Sequence, residues 1–163
     1  MVFNMLTINV LCVGKIKEDY LKDAINEYSK RLSKYCNLNI FEVQDEKIQD
    51  NISDKSIEQI KDIEADKMMK YLKKDSCIIA LDLKGKEMSS EEFSKEIESI
   101  SLNYSSITFI IGGSLGISKK ILDMCDKKIC FSKLTFPHQL IRVFLLEQVF
   151  RAFKIAKGET YHR

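Results

Sequence analysis

The sequence alternates between short apolar segments rich in β-branched residues and longer segments whose apolar positions recur every three or four residues. The short segments predict strands at residues 7–13, 38–43, 77–82, 107–111 and 129–131. The longer segments predict helices at residues 18–35, 56–72, 89–102, 118–126 and 138–157. Because no linker or internal repeat interrupts this alternation, we expect residues 1–163 to form one domain.

Within the predicted strands the hydrophobic residues are continuous, whereas a strand with one solvated face alternates apolar and polar positions. This pattern predicts an α/β fold with a parallel sheet and helices on both faces. Ligands of such sheets bind beyond the carboxyl ends of the strands. The loops after Asp82, Ile111 and Phe131 are therefore the candidate ligand loops, and Gly85 is expected to mark the turn that follows the third strand.

The last predicted helix is apolar on nearly all sides, from Leu140 to Phe153. A helix without a polar face must be covered on both sides. In a chain of 163 residues the second cover is expected to be another copy of the same chain, so we predict a homodimer.

Charge and cysteine content narrow the class of protein. From Lys119 onward the chain carries ten basic and four acidic residues, which indicates either a polyanion-binding surface or solvated helix faces. The five cysteines are odd in number and include no C-x-x-C pair, and there are only two histidines, so we predict reduced thiols and no metal site. With neither a signal sequence nor a membrane-length apolar run, a cytoplasmic protein without a membrane partner is expected.

The loop after Ile111 contains three glycines in five residues, Gly112 to Gly116, which exceeds what a plain turn requires. It lacks the dinucleotide fingerprint and the Walker A pattern, but it matches G-x-S-x-G, the nucleophile elbow of α/β hydrolases. In that alternative Ser114 is the nucleophile. Its partners would come from the residues that follow it, namely Asp123 or Asp126 and His138 or His162.

Several stretches of the chain are more specific than the glycine pattern. Residues 110–116 read IIGGSLG, residues 131–139 read FSKLTFPHQ, and residues 158–163 read GETYHR. Together with the opening strand and residues 81–86, they resemble the RlmH family of SPOUT methyltransferases. The resemblance spans nearly the whole chain from Met5, and residues 1–4 look like an N-terminal extension.

The resemblance implies S-adenosylmethionine as the methyl donor and N3 of a pseudouridine in 23S (large-subunit) ribosomal RNA as the acceptor. It also implies a homodimer and a trefoil knot in the C-terminal half. The assembled ribosome is the expected substrate, and free RNA stays open as the alternative. The cofactor-binding residues carried over from the family are Leu81, Gly112, Phe131, Ser132, Lys133, Leu134, Thr135 and Phe136.

Removal of the N3 proton requires a base, and stabilisation of the resulting anion requires a cation or an N–H donor. His138 lies near a helix N-terminus that disfavours its charged form; the alternative is a capping or packing role. Arg142, one turn later, is a candidate for phosphate or anion contact, or for a dimer salt bridge with Glu147.

The last residues of the chain complete the candidate set. Tyr161 is expected to stack on a base and His162 is the second candidate base, with the tail reaching the site of a partner subunit. The basic residues interpreted as RNA backbone contacts are Lys133, Arg151, Lys154, Lys157 and Arg163.

Overall fold

The computed structural model describes residues 5–162, which form a five-stranded parallel sheet with helices on both faces. The strands are β1 (Thr7–Val13), β2 (Asn37–Val43), β3 (Ser76–Glu87), β4 (Ser106–Ile111) and β5 (Lys127–Cys130). The helices are α1 (Asp19–Leu32), α2 (Asp54–Met69), α3 (Ser90–Ser101), α4 (Lys119–Met124) and α5 (His138–Ala156). The predicted α/β class and the order of elements are confirmed. The predicted N-terminal extension, residues 1–4, lies outside the described residues.

The strand order is β2-β1-β4-β3-β5, so β4 is central and its carboxyl end opens between those of β1 and β3. The side chains of successive residues in one strand pack in two different hydrophobic cores, one on each face of the sheet. In β1, Val10 and Cys12 pack in the core beneath α1, α3 and α5, whereas Leu11 and Val13 pack in the core beneath α2 and α4. Burial of both faces explains why residues 10–13 of β1 are apolar in succession, whereas Thr7 and Asn9 nearer its start are polar.

Hydroxyl and carboxylate side chains fix where several helices begin. Ser89 accepts a hydrogen bond from the Glu92 amide, and the Glu92 carboxylate accepts one from the Ser89 amide, so the two residues form a capping box at the start of α3. Ser53 and Ser118 cap α2 and α4 with their hydroxyl groups alone, which accept from the amides of Ser56 and Lys120. Each cap satisfies an amide that the helix itself leaves without a partner.

The prediction that Gly85 ends the third strand was wrong. Strand β3 continues to Glu87, and Leu81 and Lys86 both pair with Ile129 of β5, so the four residues between them bulge from the ladder. A Cβ atom on Gly85 would lie 2.6 Å from the backbone of Ile129. Glycine is therefore required at this position for the close approach of two strands rather than for a turn.

The apolar surface of α5 is covered mainly by its own chain. Helix α5 lies between α1 and α3 and buries Leu145, Leu146 and Val149 against the sheet. Helices α1 and α3 and the sheet thus cover much of the apolar surface for which the sequence analysis expected a second copy of the chain. The homodimer stays a prediction, as does the trefoil knot. On the outer side, Phe144 is 37% exposed and contacts the ring of Phe136, which is 39% exposed.

Candidate cofactor and active site

A cavity of about 490 Å³ lies at the carboxyl edge of the sheet. Its walls come from residues 81–83 after the buried part of β3, residues 111–117 at the end of β4 and in the loop that follows, and residues 129–132 and 134–138 at the end of β5 and in the loop that follows. These are the three loops that the strand pattern singled out. Parallel strands end at one edge, so loops that are distant in the sequence meet there.

The cavity gathers most of the cofactor residues predicted from the sequence. Those that line it are Leu81, Gly112, Phe131, Ser132, Leu134, Thr135 and Phe136. Lys133 does not line it: its side chain is 89% exposed and its Nζ lies 3.9 Å from Glu87 Oε1. Sequence reasoning missed Asp82 and Ile141 as lining residues, although the rule for strand ends applies equally to Asp82.

The glycine loop, residues 112–116, folds back on itself just after the carboxyl end of β4. The Gly116 amide donates to the Gly113 carbonyl at 3.0 Å, and Gly116 has a φ of +90°. A Cβ atom on Gly112 would lie 2.7 Å from the backbone of Gly116 and 2.8 Å from Ile117 Cγ1. The reason for glycine at 112 is therefore the close packing of the loop against itself, and not only space for a ligand.

The residues that line the cavity suit a mostly apolar nucleoside that carries one positive charge. Leucine, isoleucine and phenylalanine side chains make up much of the wall, and main chain of the glycine loop is exposed to the cavity. Asp82 is the carboxylate among the described lining residues. The residues present thus fit a sulfonium nucleoside: apolar surface for the base, N–H and C=O groups for hydrogen bonds, and one acid for hydroxyl or amino groups.

His138 is the first residue of α5 and lines the cavity. Its Nδ1 is buried without a hydrogen-bond partner, and its Cε1 lies 3.5 Å from where a Cβ on Gly14 would be. Burial, together with the positive charge of Arg142, lowers the pKa of His138 below its usual value. The imidazole is therefore neutral near pH 7 and able to accept a proton.

We expect His138 to make the stability of the protein fall on mild acidification. The unfolded histidine has a pKa near 6.5 and the folded pKa is lower, so the unfolded state binds more protons between these two values. The free energy of unfolding should fall as pH decreases through 6.5 and stop falling below the folded pKa. Urea unfolding at about pH 7.5 and about pH 5.5 should show a smaller loss for His138→Gln than for the wild type. Equal losses would contradict a buried neutral imidazole.

Arg142 is buried, with 1% of its surface exposed, and does not line the cavity. It donates to Glu42 Oε2 at 2.8 Å and to the carbonyls of Val13 and Gly14 at 2.9 and 2.8 Å. Within the chain Glu147 pairs with Arg151, and the suggested dimer salt bridge between Arg142 and Glu147 stays a prediction. An enclosed guanidinium is not available to an RNA phosphate. In this chain Arg142 fastens α5 to the ends of β1 and β2.

The C-terminal tail folds against its own chain, apart from the cavity lining. Tyr161 packs edge-to-face on Phe150 at 4.9 Å, and its hydroxyl donates to Glu147 Oε1 at 3.2 Å. His162 lies between Arg151, 3.1 Å from Nδ1, and Glu91, 2.7 Å from Nε2. The tail therefore does not join His138 within one chain.

The predicted RNA contacts have different surroundings. Arg151 and Lys154 form ion pairs with Glu147 and Glu159. Lys157 lies 5.0 Å from the ring centroid of Tyr35. Arg163 falls outside the described residues.

The hydrolase alternative lacks its acid. Ser114 and His138 both line the cavity. Asp126, however, accepts a hydrogen bond from the Ile78 amide at 2.8 Å, and Asp123 pairs with Lys119 on the exposed face of α4. The Nδ1 of His138 has no carboxylate partner. A Ser-His-acid triad needs that partner to orient the imidazole, so the geometry does not support this alternative.

The structure places no metal cluster or membrane helix within residues 5–162. No group of three or more His, Cys, Asp or Glu side chains among them is arranged to hold a metal ion. In the same residues, no helix has the length and apolarity needed to cross a membrane.

Comparison with known proteins decides the family. Residues 6–162 match the family described as "Predicted SPOUT methyltransferase". The ribosomal RNA large subunit methyltransferase H of Clostridium kluyveri is 56% identical over 159 residues, which cover 97% of this chain and 100% of that protein. The protein of the same name from Clostridium botulinum (strain Langeland) is 58% identical over the same coverage. The chain belongs to the ribosomal RNA large subunit methyltransferase H family of SPOUT methyltransferases.

Two solved structures share the fold of this chain. A probable methylase family protein from Haemophilus influenzae Rd KW20 superposes with a TM-score of 0.54 at 10% identity, covering 96% of this chain and 70% of that one. The A. aeolicus TrmH/SpoU tRNA modifying enzyme superposes with a TM-score of 0.52 at 14% identity, covering 95% and 79%. The family resemblance and the SPOUT-type α/β fold are therefore confirmed.

Proposed function

We propose that this chain transfers a methyl group from S-adenosylmethionine to N3 of a pseudouridine in 23S ribosomal RNA, with the assembled ribosome as its substrate. Membership of the ribosomal RNA large subunit methyltransferase H family supports RNA methylation. The site assignment rests on one observation, the cavity where the glycine loop, residues 81–83 of β3 and the loop before α5 meet.

The cavity residues hold and orient the donor. The glycine loop offers main-chain groups, and Leu81, Phe131 and Phe136 supply apolar surface for the adenosine part. The Asp82 carboxylate accepts hydrogen bonds from the hydroxyl or amino groups of the adenosine part. When bound, the cofactor supplies an electrophilic methyl carbon, so the remaining tasks of the protein are positioning and proton removal.

His138 is the base that one chain offers at the cavity. The N3 proton of pseudouridine lies between two carbonyl groups and must leave during transfer. A neutral imidazole whose pKa is held low by burial accepts a proton only transiently, which suits a group that must return to its starting state. His162 and Tyr161 act in this proposal from the tail of a partner subunit in a cytoplasmic homodimer. The side chain of Leu134, which is 71% exposed, gives that partner an apolar contact next to the cavity.

A label-transfer experiment tests the proposed function. The purified chain is incubated with S-adenosylmethionine labelled at the methyl group and with either intact ribosomes or free 23S ribosomal RNA. Nuclease digestion and mass spectrometry then locate the label. We expect one N3-methylpseudouridine in the RNA of intact ribosomes and much less label in free RNA. Label on another base or on protein, or no label at all, would refute the proposal.

The Ser114→Ala variant separates this function from hydrolysis. Because Ser114 has no acid–histidine pair behind it, we expect the variant to bind S-adenosylmethionine and to methylate ribosomes within about threefold of wild type. An esterase would instead lose turnover by about 10³-fold or more on loss of its nucleophile. Calorimetry with the cofactor and the label-transfer assay give both readouts. A loss of methyl transfer with cofactor binding intact would assign Ser114 a direct role.

A further inference from the structure

A second cavity, of about 270 Å³, adjoins the first. The two cavities share Phe131, Ser132 and Phe136. The second one extends from this shared wall to the start of α3 and the middle of α5. A molecule placed in it therefore lies beside whatever occupies the first cavity, separated by one layer of side chains.

Aromatic rings form much of the wall of this second cavity. Phe93 packs edge-to-face on Phe131 with centroids 6.1 Å apart, and Phe136 packs edge-to-face on Phe144 at 5.3 Å. Phe136 and Phe144 are nevertheless more than one-third exposed in the chain. Partly exposed rings around a cavity are suited to a flat, unsaturated ligand, because a nucleobase stacks favourably on such side chains.

One amide group, that of Gln148 on α5, provides directional recognition in this cavity. Its Nε2 donates to Glu147 Oε2 at 2.9 Å, and its Oε1 accepts from the Ser90 hydroxyl at 2.8 Å. Because a carboxylate only accepts hydrogen bonds, the bond to Glu147 determines which end of the amide is nitrogen. Glu147 is itself held by Arg151. The amide is thus oriented before any ligand arrives, and it retains one free N–H and one free carbonyl lone pair.

We propose that the second cavity binds the target base and that Gln148 distinguishes pseudouridine from uridine. This inference rests on the proposed function. Pseudouridine carries an N1–H next to its C2 carbonyl, and when uridine is placed with N3 in the same position, a C5–H replaces that N1–H. The free lone pair of Gln148 Oε1 accepts the N1–H, and the free amide N–H donates to the neighbouring carbonyl. This contact leaves N3 available for methylation.

Uridine in the same position leaves the Gln148 oxygen facing a carbon-bound hydrogen. With uridine, Gln148 Oε1 keeps the hydrogen bond from the Ser90 hydroxyl, but its second lone pair gains no donor. Sites built to bond an N–H reject analogues that lack it. Gln148 is therefore a specificity-determining residue in this proposal, whereas the cofactor cavity supplies the reaction.

The experiment compares ribosomes that carry pseudouridine with ribosomes that carry uridine at the target position. We measure kcat/KM for the wild type, Gln148→Leu and Gln148→Glu, with Gln139→Leu as a matched change on the same helix. Gln139 lines neither cavity; its Oε1 accepts from the Lys17 amide. Calorimetry with S-adenosylmethionine reports on the cofactor cavity in each variant.

We expect Gln148→Leu to lose about tenfold to 100-fold in kcat/KM on pseudouridine and little on uridine, so that the preference collapses. Gln148→Glu keeps an acceptor and should retain more of the preference. Gln139→Leu should retain all of it, and cofactor affinity should stay unchanged throughout. If Gln148→Leu keeps the wild-type preference, or loses cofactor binding or changes oligomeric state, the assignment of Gln148 is overturned. If the wild type methylates neither ribosome, the proposed function itself fails.

Discussion

The Glu42→Leu variant will lose about 1–3 kcal/mol of unfolding free energy, because it leaves a buried guanidinium without its counter-charge. The loss stays below that of a fully buried pair because the Glu42 side chain is 32% exposed. Arg142 is 1% exposed, and Glu42 is its carboxylate partner, at 2.8 Å. The two carbonyl groups that also accept from Arg142 compensate only part of a charge removed from water. Urea unfolding monitored by circular dichroism measures this loss.

Two controls show whether the effect comes from the buried charge. The double variant Glu42→Leu/Arg142→Met removes both charges, so it should recover part of the loss, although the carbonyls of Val13 and Gly14 then lack a donor. Asp123→Ala breaks the exposed pair with Lys119 and should cost less than about 1 kcal/mol. A loss in Glu42→Leu no larger than that of Asp123→Ala would show that Arg142 finds another partner or reaches water.

The Gly112→Ala variant is expected to bind S-adenosylmethionine about tenfold to 100-fold more weakly than wild type. Its new methyl group would lie 2.7 Å from the Gly116 backbone, so the glycine loop must open to admit it. Forcing an extra methyl group into close packing costs about 1–3 kcal/mol, and each 1.4 kcal/mol corresponds to a factor of ten in affinity. Since the displaced loop lines the cavity, the cost appears in cofactor binding as well as in stability.

Gly113→Ala is the matched comparison one residue along the loop. Its methyl group would lie 3.1 Å from Val13 Cγ1, a contact that has to lengthen by only a few tenths of an ångström, and the backbone conformation suits alanine. We expect a much smaller loss of affinity in calorimetry. Equal losses of cofactor affinity in the two variants would indicate that the glycine loop tolerates no added methyl group at either position. The close contact between residues 112 and 116 would then not explain the effect of Gly112→Ala.

Much of the fold followed from the sequence because strand burial on both faces and helix amphipathicity are local properties. The strand pattern also brought together the three loops around the cavity, since parallel strands share a carboxyl edge. Gly85 was misread because a glycine that permits two strands to approach has the same local signature as a glycine in a turn. The bulge in β3 depends on its pairing with Ile129, which is not a local property.

The side-chain partners at the site were the least predictable feature. Arg142 pairs with Glu42, 100 positions away, and no spacing rule connects them. Gln148 drew no attention as a site residue, although a neutral amide in the apolar middle of a helix is a polar group that needs a partner. The tail was expected at a catalytic centre, and its attachment to Glu147 and Glu91 depends on how α3 and α5 pack.

The opening turn of α5 has a consequence for attempts to raise the heat resistance of this enzyme. His138 and Arg142 lie on the same side of that turn, one at the cavity and the other at the junction with β1 and β2. Repacking the junction with hydrocarbon side chains is a common route to a higher melting temperature. Here such repacking would also remove Arg142, whose positive charge lowers the pKa of His138. Variants stabilised in this way are therefore expected to show a shift in the acid limb of their pH–rate profile.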